Sequence, residues 1–296
     1  MLSYDSIQEL ADLAAAGGVR ISQLVLDDQC REMERTPEQL YAEMAASYQV
    51  MREAAAEGIR KPVRSASGLS GGTACQLNNA LSAGILIGGR VFNRAVVNAL
   101  AISEVNAGMG RIVAAPTAGS CGILPAVLLA VEDEIGLKPE PVVMSLFTAA
   151  AIGLVIAGRA SLSGAEGGCQ AECGSAAAMA AGALVELMGG TPQMVAQACA
   201  IALKNVLGLV CDPVAGLVEI PCVKRNASGA ANAILAANLA LAGIESAIPA
   251  DEVIDAMRSV GNLMAAALRE TAEGGLAATP TGCRLAGKIL GPASDL

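Results

Sequence analysis

From residue 61 onward, apolar positions fill the chain in long Ala-, Leu- and Met-rich segments, broken at intervals by glycine. Runs of alternating Val, Ile and Thr are few, so the helical period dominates over the strand period. The pattern predicts an all-α fold, a compact multi-helix unit in which Gly-rich loops converge. Residues 1–60 differ: charge is dense and the pattern is amphipathic. The expected organisation is a helical arm over 1–60 and a core over 61–296, joined as one continuous unit.

Three helix starts can be read from local chemistry. Thr36-Pro37-Glu38-Gln39 combines an N-cap residue, Pro at the first helical position and polar residues in the first turn. That helix should run to about Glu57, with Gly58 as its stop. Thr191-Pro192-Gln193 opens another, through about Val206, and Pro249-Ala250-Asp251-Glu252 a third, through about Arg269.

Five breaks mix Gly or Pro with polar groups inside apolar sequence: residues 65–72, 115–122, 163–170, 209–216 and 220–226. Each should join helices. A buried loop has to satisfy its backbone polar groups, so breaks of this kind are where a ligand or chemistry is expected. Ser67, Gly68, Ser70, Gly71 and Gly72 form a Gly-rich turn ahead of a helix, a geometry whose N–H groups suit a carboxylate. Thr117, Gly119 and Ser120 offer a second such wall. The same glycines equally serve close helix packing.

Composition narrows the chemistry. Of 296 residues, 54% are hydrophobic, enough for a large core, while aromatics make up 2%, so small side chains must pack helices closely. The net charge of −9 argues against a nucleic-acid partner, which needs clustered Lys and Arg. Asp5, Glu9 and Asp12 near the start argue against an export signal, so a cytoplasmic protein is expected. Residues 141–158 and 226–244 are apolar enough to raise a membrane span. Their Ala, Gly, Ser and Asn content, and the lack of Trp anchors and basic flanks, favour buried helices instead.

Histidine is absent, which removes every triad, Cys-His pair and His-ligated zinc site. Proton transfer must use Lys, Glu, Asp, Tyr or Cys, or a group from another chain: Lys61, Lys224 and Glu166 are candidates for the base, with Lys204, Glu172, Glu219 and Asp212 behind them. Nine cysteines, an odd number, argue against a disulfide framework. Cys169, Cys211 and Cys222 lie in three of the breaks. By spacing alone they are open to two readings, small buried hydrophobes or thiolate ligands for iron–sulfur or zinc.

The loop sequences resemble the alpha chain of iron–sulfur-dependent L-serine dehydratases from about residue 60 to Gly282. The resemblance rests on Ser67-Gly68-Leu69-Ser70-Gly71-Gly72, Ala115-Pro116-Thr117-Ala118-Gly119-Ser120, Gly164-Ala165-Glu166-Gly167-Gly168-Cys169-Gln170, and the long run from Gly208 through Cys211-Asp212-Pro213 and Pro221-Cys222 to Lys224-Arg225-Asn226. It implies a [4Fe–4S] cluster on Cys169, Cys211 and Cys222, whose spacings of 42 and 11 residues match the family. It further implies a lyase of amino-acid catabolism and gluconeogenesis that turns L-serine into pyruvate and ammonia without pyridoxal phosphate. An open iron would act there as Lewis acid on the substrate hydroxyl. Residues 61–296 would then be the catalytic, cluster-binding part.

Cys173, four residues after Cys169, is the competing ligand, and Cys283 has no assigned role. This chain starts directly at the alpha part, so the resemblance implies a separate beta chain and a hetero-oligomer. Two departures stand out: Ala118 occupies a place where some relatives have Asn, and the chain ends Ala293-Ser294-Asp295-Leu296 without the terminal Cys that caps the open iron in some single-chain relatives. Rival readings are an L-cysteine desulfidase-like lyase on the same scaffold, a non-catalytic iron–sulfur protein, and a transporter with broken helices.

Overall fold

The computed structural model describes residues 4–290. Among them are thirteen α-helices and no strand, only isolated bridges pairing Arg64 with Gly71 and Cys211 with Arg269, so the all-α expectation holds. Residues 1–3 of the acidic start and the 293–296 end discussed above lie outside the described residues.

The centre is α9 (Ser175–Leu187), buried from Ser175 to Glu186 and rich in alanine. A helix buried all round needs small side chains if neighbours are to approach on every face. Around it pack α6 (Ile123–Ile135), α7 (Pro139–Arg159), α10 (Pro192–Lys204) and α11 (Cys222–Leu241). A second group forms where α5 (Arg90–Ala107) meets α6, α11, α3 (Pro37–Arg60) and α4 (Thr73–Ser82). The N-terminal helices α1 (Ile7–Ala16) and α2 (Ile21–Met33) lie on α10 and α7, and their Ile7, Leu10 and Val25 join the same apolar core as α9.

The helix starts are where local chemistry puts them. Thr36 forms a full capping box with Gln39, and the Thr191 hydroxyl accepts from Met194 N. The helix ends differ from expectation. α3 runs through Gly58 to Arg60, because Gly58 is a point of contact and not a stop: a Cβ there would stand 2.5 Å from Ala101 O on α5. α10 stops at Lys204. α12 (Ala250–Leu263) stops six residues short of Arg269 because residues 268–270 are drawn off to pair with Cys211: Cys211 N donates to Leu268 O (2.9 Å) and Glu270 N to Cys211 O (2.7 Å). Only α7, among the described residues, is long and apolar enough to cross a membrane. Two-thirds of its most apolar window (67%) is buried inside the fold, as for a core helix.

Candidate cluster site

After α7, the short α8 (Gly164–Gly167) turns the chain back, its start capped by the Ser163 hydroxyl. Gly168, at φ 75°, then delivers Cys169 to a π-helical turn, Gln170–Gly174, that runs into α9. The wide turn gathers three side chains: one ligand atom each from Cys169, Glu172 and Cys173 lies within 4.8 Å of the others. The Cys169 and Cys173 sulfurs are 3.3 Å apart. Such turns interrupt α-helices most often where function requires it.

Gln170 ties this turn to the next segment. It is fully buried; its Oε1 accepts from Gly208 N (2.8 Å), its backbone N donates to Leu209 O (2.9 Å), and its Nε2 donates to Met257 O (3.0 Å). Residues 209–213 are thereby laid beside Cys169, and they carry Cys211. Gly164 of α8 leaves room for that side chain: a Cβ there would be 2.9 Å from Cys211 Sγ. Cys222, expected on a loop, is instead the first residue of α11.

The thiols sense one another. Cys169 is held below the usual thiol range by the Cys173 thiol and then by the Arg225 guanidinium. Cys173 is raised by that same hydrogen bond, and Cys211 by burial. Burial, then the charges of Cys169 and Glu172, push Cys222 up to about 12. All four are free and buried. Arg225 closes the group. Its Nη2 pairs with Asp212 Oδ1 (2.8 Å) and its Nη1 donates to Val210 O (2.8 Å), next to Cys211 on both sides. Reduced, buried sulfur donors beside a half-buried cation fit an anionic iron–sulfur cluster, whose ligands are thiolates. Cys121 and Cys199 are core residues, Cys30 and Cys75 half-buried, and Cys283 exposed.

The two Ser/Thr loops reach this group through carboxylates. Ser67 Oγ and Ser70 Oγ donate to the two oxygens of buried Glu219 (2.7 and 2.8 Å), three residues before Cys222. Thr117 donates to Glu172 and lies 3.0 Å from Ser120 Oγ. Gly119 is there because of Glu172: a Cβ would stand 2.4 Å from its Oε1. Asn226 of α11 pins the same loop, donating to Gly119 O (2.7 Å) and accepting from Gly122 N (2.9 Å). The helix start after Gly72 already holds an internal anion, for Glu104, fully buried, accepts from Thr73 N (2.7 Å) and Ala74 N (3.4 Å). Gly68, Gly71 and Gly72 all take left-handed φ in this turn.

Among the base candidates, Lys61, Lys224 and Glu166 are exposed, Lys61 in an i,i+4 pair with Glu57 (3.5 Å). Lys204 is also exposed and bonds Ser246. Asp212 and Glu219 are committed to Arg225 and to the two serines. Glu172 is different: burial raises its carboxyl above the usual range, against the lowering effect of the Thr117 hydroxyl. Sequence reasoning passed over Arg225 and Glu104. Arg225 was detectable, three residues after Cys222 and so one helical turn along the same face; nothing local marks Glu104.

The profile of the family described as serine dehydratase alpha chain matches residues 16–277. The chain is 50% identical over 290 residues to the probable L-serine dehydratase alpha chain of Bacillus subtilis, covering 98% of this chain and 96% of that one. It is 44% identical to the L-serine dehydratase alpha chain of Peptoniphilus asaccharolyticus, over 95% of this chain and 96% of that one. L-serine dehydratase 1 of Escherichia coli is 47% identical over 181 residues, 60% of this chain and 40% of that longer protein. The chain belongs to the serine dehydratase alpha chain family.

Proposed function

We propose that this chain, with a separate beta chain in a cytoplasmic hetero-oligomer, dehydrates L-serine to pyruvate and ammonia at a [4Fe–4S] cluster held by Cys169, Cys211 and Cys222. The observation that carries the reading is that these buried thiols lie close enough to shift one another's titration, beside the Arg225–Asp212 pair and with both Ser/Thr loops tied in by carboxylates. When bound, the cluster supplies an open iron that draws electrons from the substrate hydroxyl and eases its departure.

The chain's own residues do the rest. The loop of Ser67, Gly68, Ser70, Gly71 and Gly72, fixed by Glu219, forms one wall of the serine site; Thr117, Gly119 and Ser120 form the other. Glu172 accepts the α-proton of serine, a task that suits a carboxyl whose proton affinity burial has raised. Glu172 then passes that proton to the departing hydroxyl, which leaves as water. The resulting enamine tautomerises, and a second water hydrolyses it to pyruvate and ammonia. Cys173, its sulfur 3.3 Å from that of Cys169, is not itself a ligand.

The test is anaerobic co-expression with the beta chain, then assay of bound iron and of pyruvate from L-serine. Cys169→Ala, Cys211→Ala and Cys222→Ala should each lose both, while Cys173→Ala keeps iron. An iron-free wild type overturns the reading. So does sulfide release from L-cysteine with no pyruvate from L-serine.

A further inference from the structure

Against α8 lies a cavity of about 490 Å³ whose lining includes none of the cysteines and no residue of the two Ser/Thr loops. Its polar wall is Arg159, Ser161, Glu166, Arg258, Asn262 and Arg269. Three of the chain's nineteen basic residues meet there, in a protein whose net charge is −9. Internal carboxylates do not consume them all. Asp255 takes Arg159 (2.8 Å) and reaches Arg258 only at 3.7 Å. Asp251 stands 3.9 Å from Arg159 Nε and is engaged by the Ile7 and Gln8 amides (2.9 and 3.0 Å). Arg159 Nε is buried and donates to nothing among the described residues. The Arg269 guanidinium has no carboxylate partner among them either, and the one acid of the wall, Glu166, is exposed.

We propose that this cavity is a binding site for a small monocarboxylate, held by the forks of Arg269 and Arg258 with Ser161 and Asn262 beside them. A guanidinium fork matches a carboxylate with two parallel hydrogen bonds. Asp255 and Asp251 face Arg159, and exposed Glu166 stands on the same wall as Arg258 and Arg269, so the site carries little net charge and admits a monoanion more readily than a phosphate dianion. The volume takes a three- or four-carbon acid together with water. The position gives an occupant a route to the cluster site: Arg269 is the bridge partner of Cys211, and Glu166 and Gly167 lead directly into Gly168 and Cys169. The binding site stands whether or not the cluster reading does.

The experiment is calorimetric titration of the full chain with pyruvate, and separately with inorganic phosphate. The titrations are repeated on Arg269→Gln, Arg258→Gln and Thr117→Val, with circular dichroism as the folding control. The expected result is saturable pyruvate binding, weakened about tenfold or more by either arginine variant, unchanged by Thr117→Val, and no tighter binding of phosphate. No saturable binding overturns the proposal, as does tighter binding of phosphate. Binding that survives Arg269→Gln and Arg258→Gln but disappears in Thr117→Val also overturns it, because pyruvate then occupies the serine site. Should one arginine variant fail to fold, the other reads the same wall.

Discussion

The hydroxyl of Thr117 donates to the carboxylate of Glu172, two residues 55 apart in sequence, and so joins the Pro116–Ser120 loop to the turn that carries Cys169. The bond opposes burial, which raises the Glu172 carboxyl, so it sets how much carboxylate is present at a given pH. Removing the donor raises the carboxyl further. In Thr117→Val the acid limb of the turnover profile should therefore move to higher pH, with bound iron unchanged. Glu172→Gln should lower pyruvate release by about 10²- to 10⁴-fold, the range for loss of a general base, again with iron retained. Full turnover in Glu172→Gln would move the base to the partner chain.

Arg225 and Asp212 form a pair in which the carboxylate side chain is 4% exposed and the guanidinium 17%. Removing one member of such a pair leaves a buried charge without its partner, a cost of about 3–5 kcal/mol. Arg225→Gln should lose stability on that scale in chemical denaturation and should load less iron, since Cys169 loses its nearby cation. Arg225→Lys keeps the charge but not the fork that spans Asp212 and Val210 O, and should fall between the two.

What the sequence discloses and what it hides follow one physical division. Thr36 and Thr191 cap their helices through residues three positions away, so both starts were legible. Gly58 was misread because its reason is Ala101, on another helix, and the end of α12 was misplaced because Cys211 captures residues 268–270. The Gly-rich breaks were visible as candidate loops, although Cys222 in the last of them opens α11. The carboxylates that fasten those loops were not, since Ser67 and Glu219 are 152 residues apart and Thr73 and Glu104 are 31 apart. Nor does composition separate exposed Lys61 and Lys224 from half-buried Glu172; that distinction exists only after packing.

Gly58 offers a direct check of the packing account. A methyl group there would overlap Ala101 O, Cα and C at 2.5–2.8 Å, all backbone atoms of α5 that no rotamer change can move. Gly58→Ala gains helix propensity of up to about 1 kcal/mol, but overpacking costs about 1–3 kcal/mol. The net should be destabilisation, read as a lower denaturation midpoint with unchanged slope. Gly18, with open space around it, should show no such steric cost, only the strain of its left-handed φ of 63°.

Removing the metal should leave the fold standing. The core of α9 with α6, α7, α10 and α11 is apolar and continuous, and the thiols lie at one end of it, at the start of α9 and of α11. A protein whose metal site is its core unfolds when the metal leaves; one with a large separate core does not. Anaerobic chelation should thus abolish serine turnover while far-UV circular dichroism keeps its helical signal. The loss should be local: amide exchange should accelerate over 164–174 and 208–222, the segments that Gln170 and Arg225 join, and stay slow across α9 beyond Ser175. Global loss of helicity on chelation would mean that the cluster holds the helices together, against the burial described here.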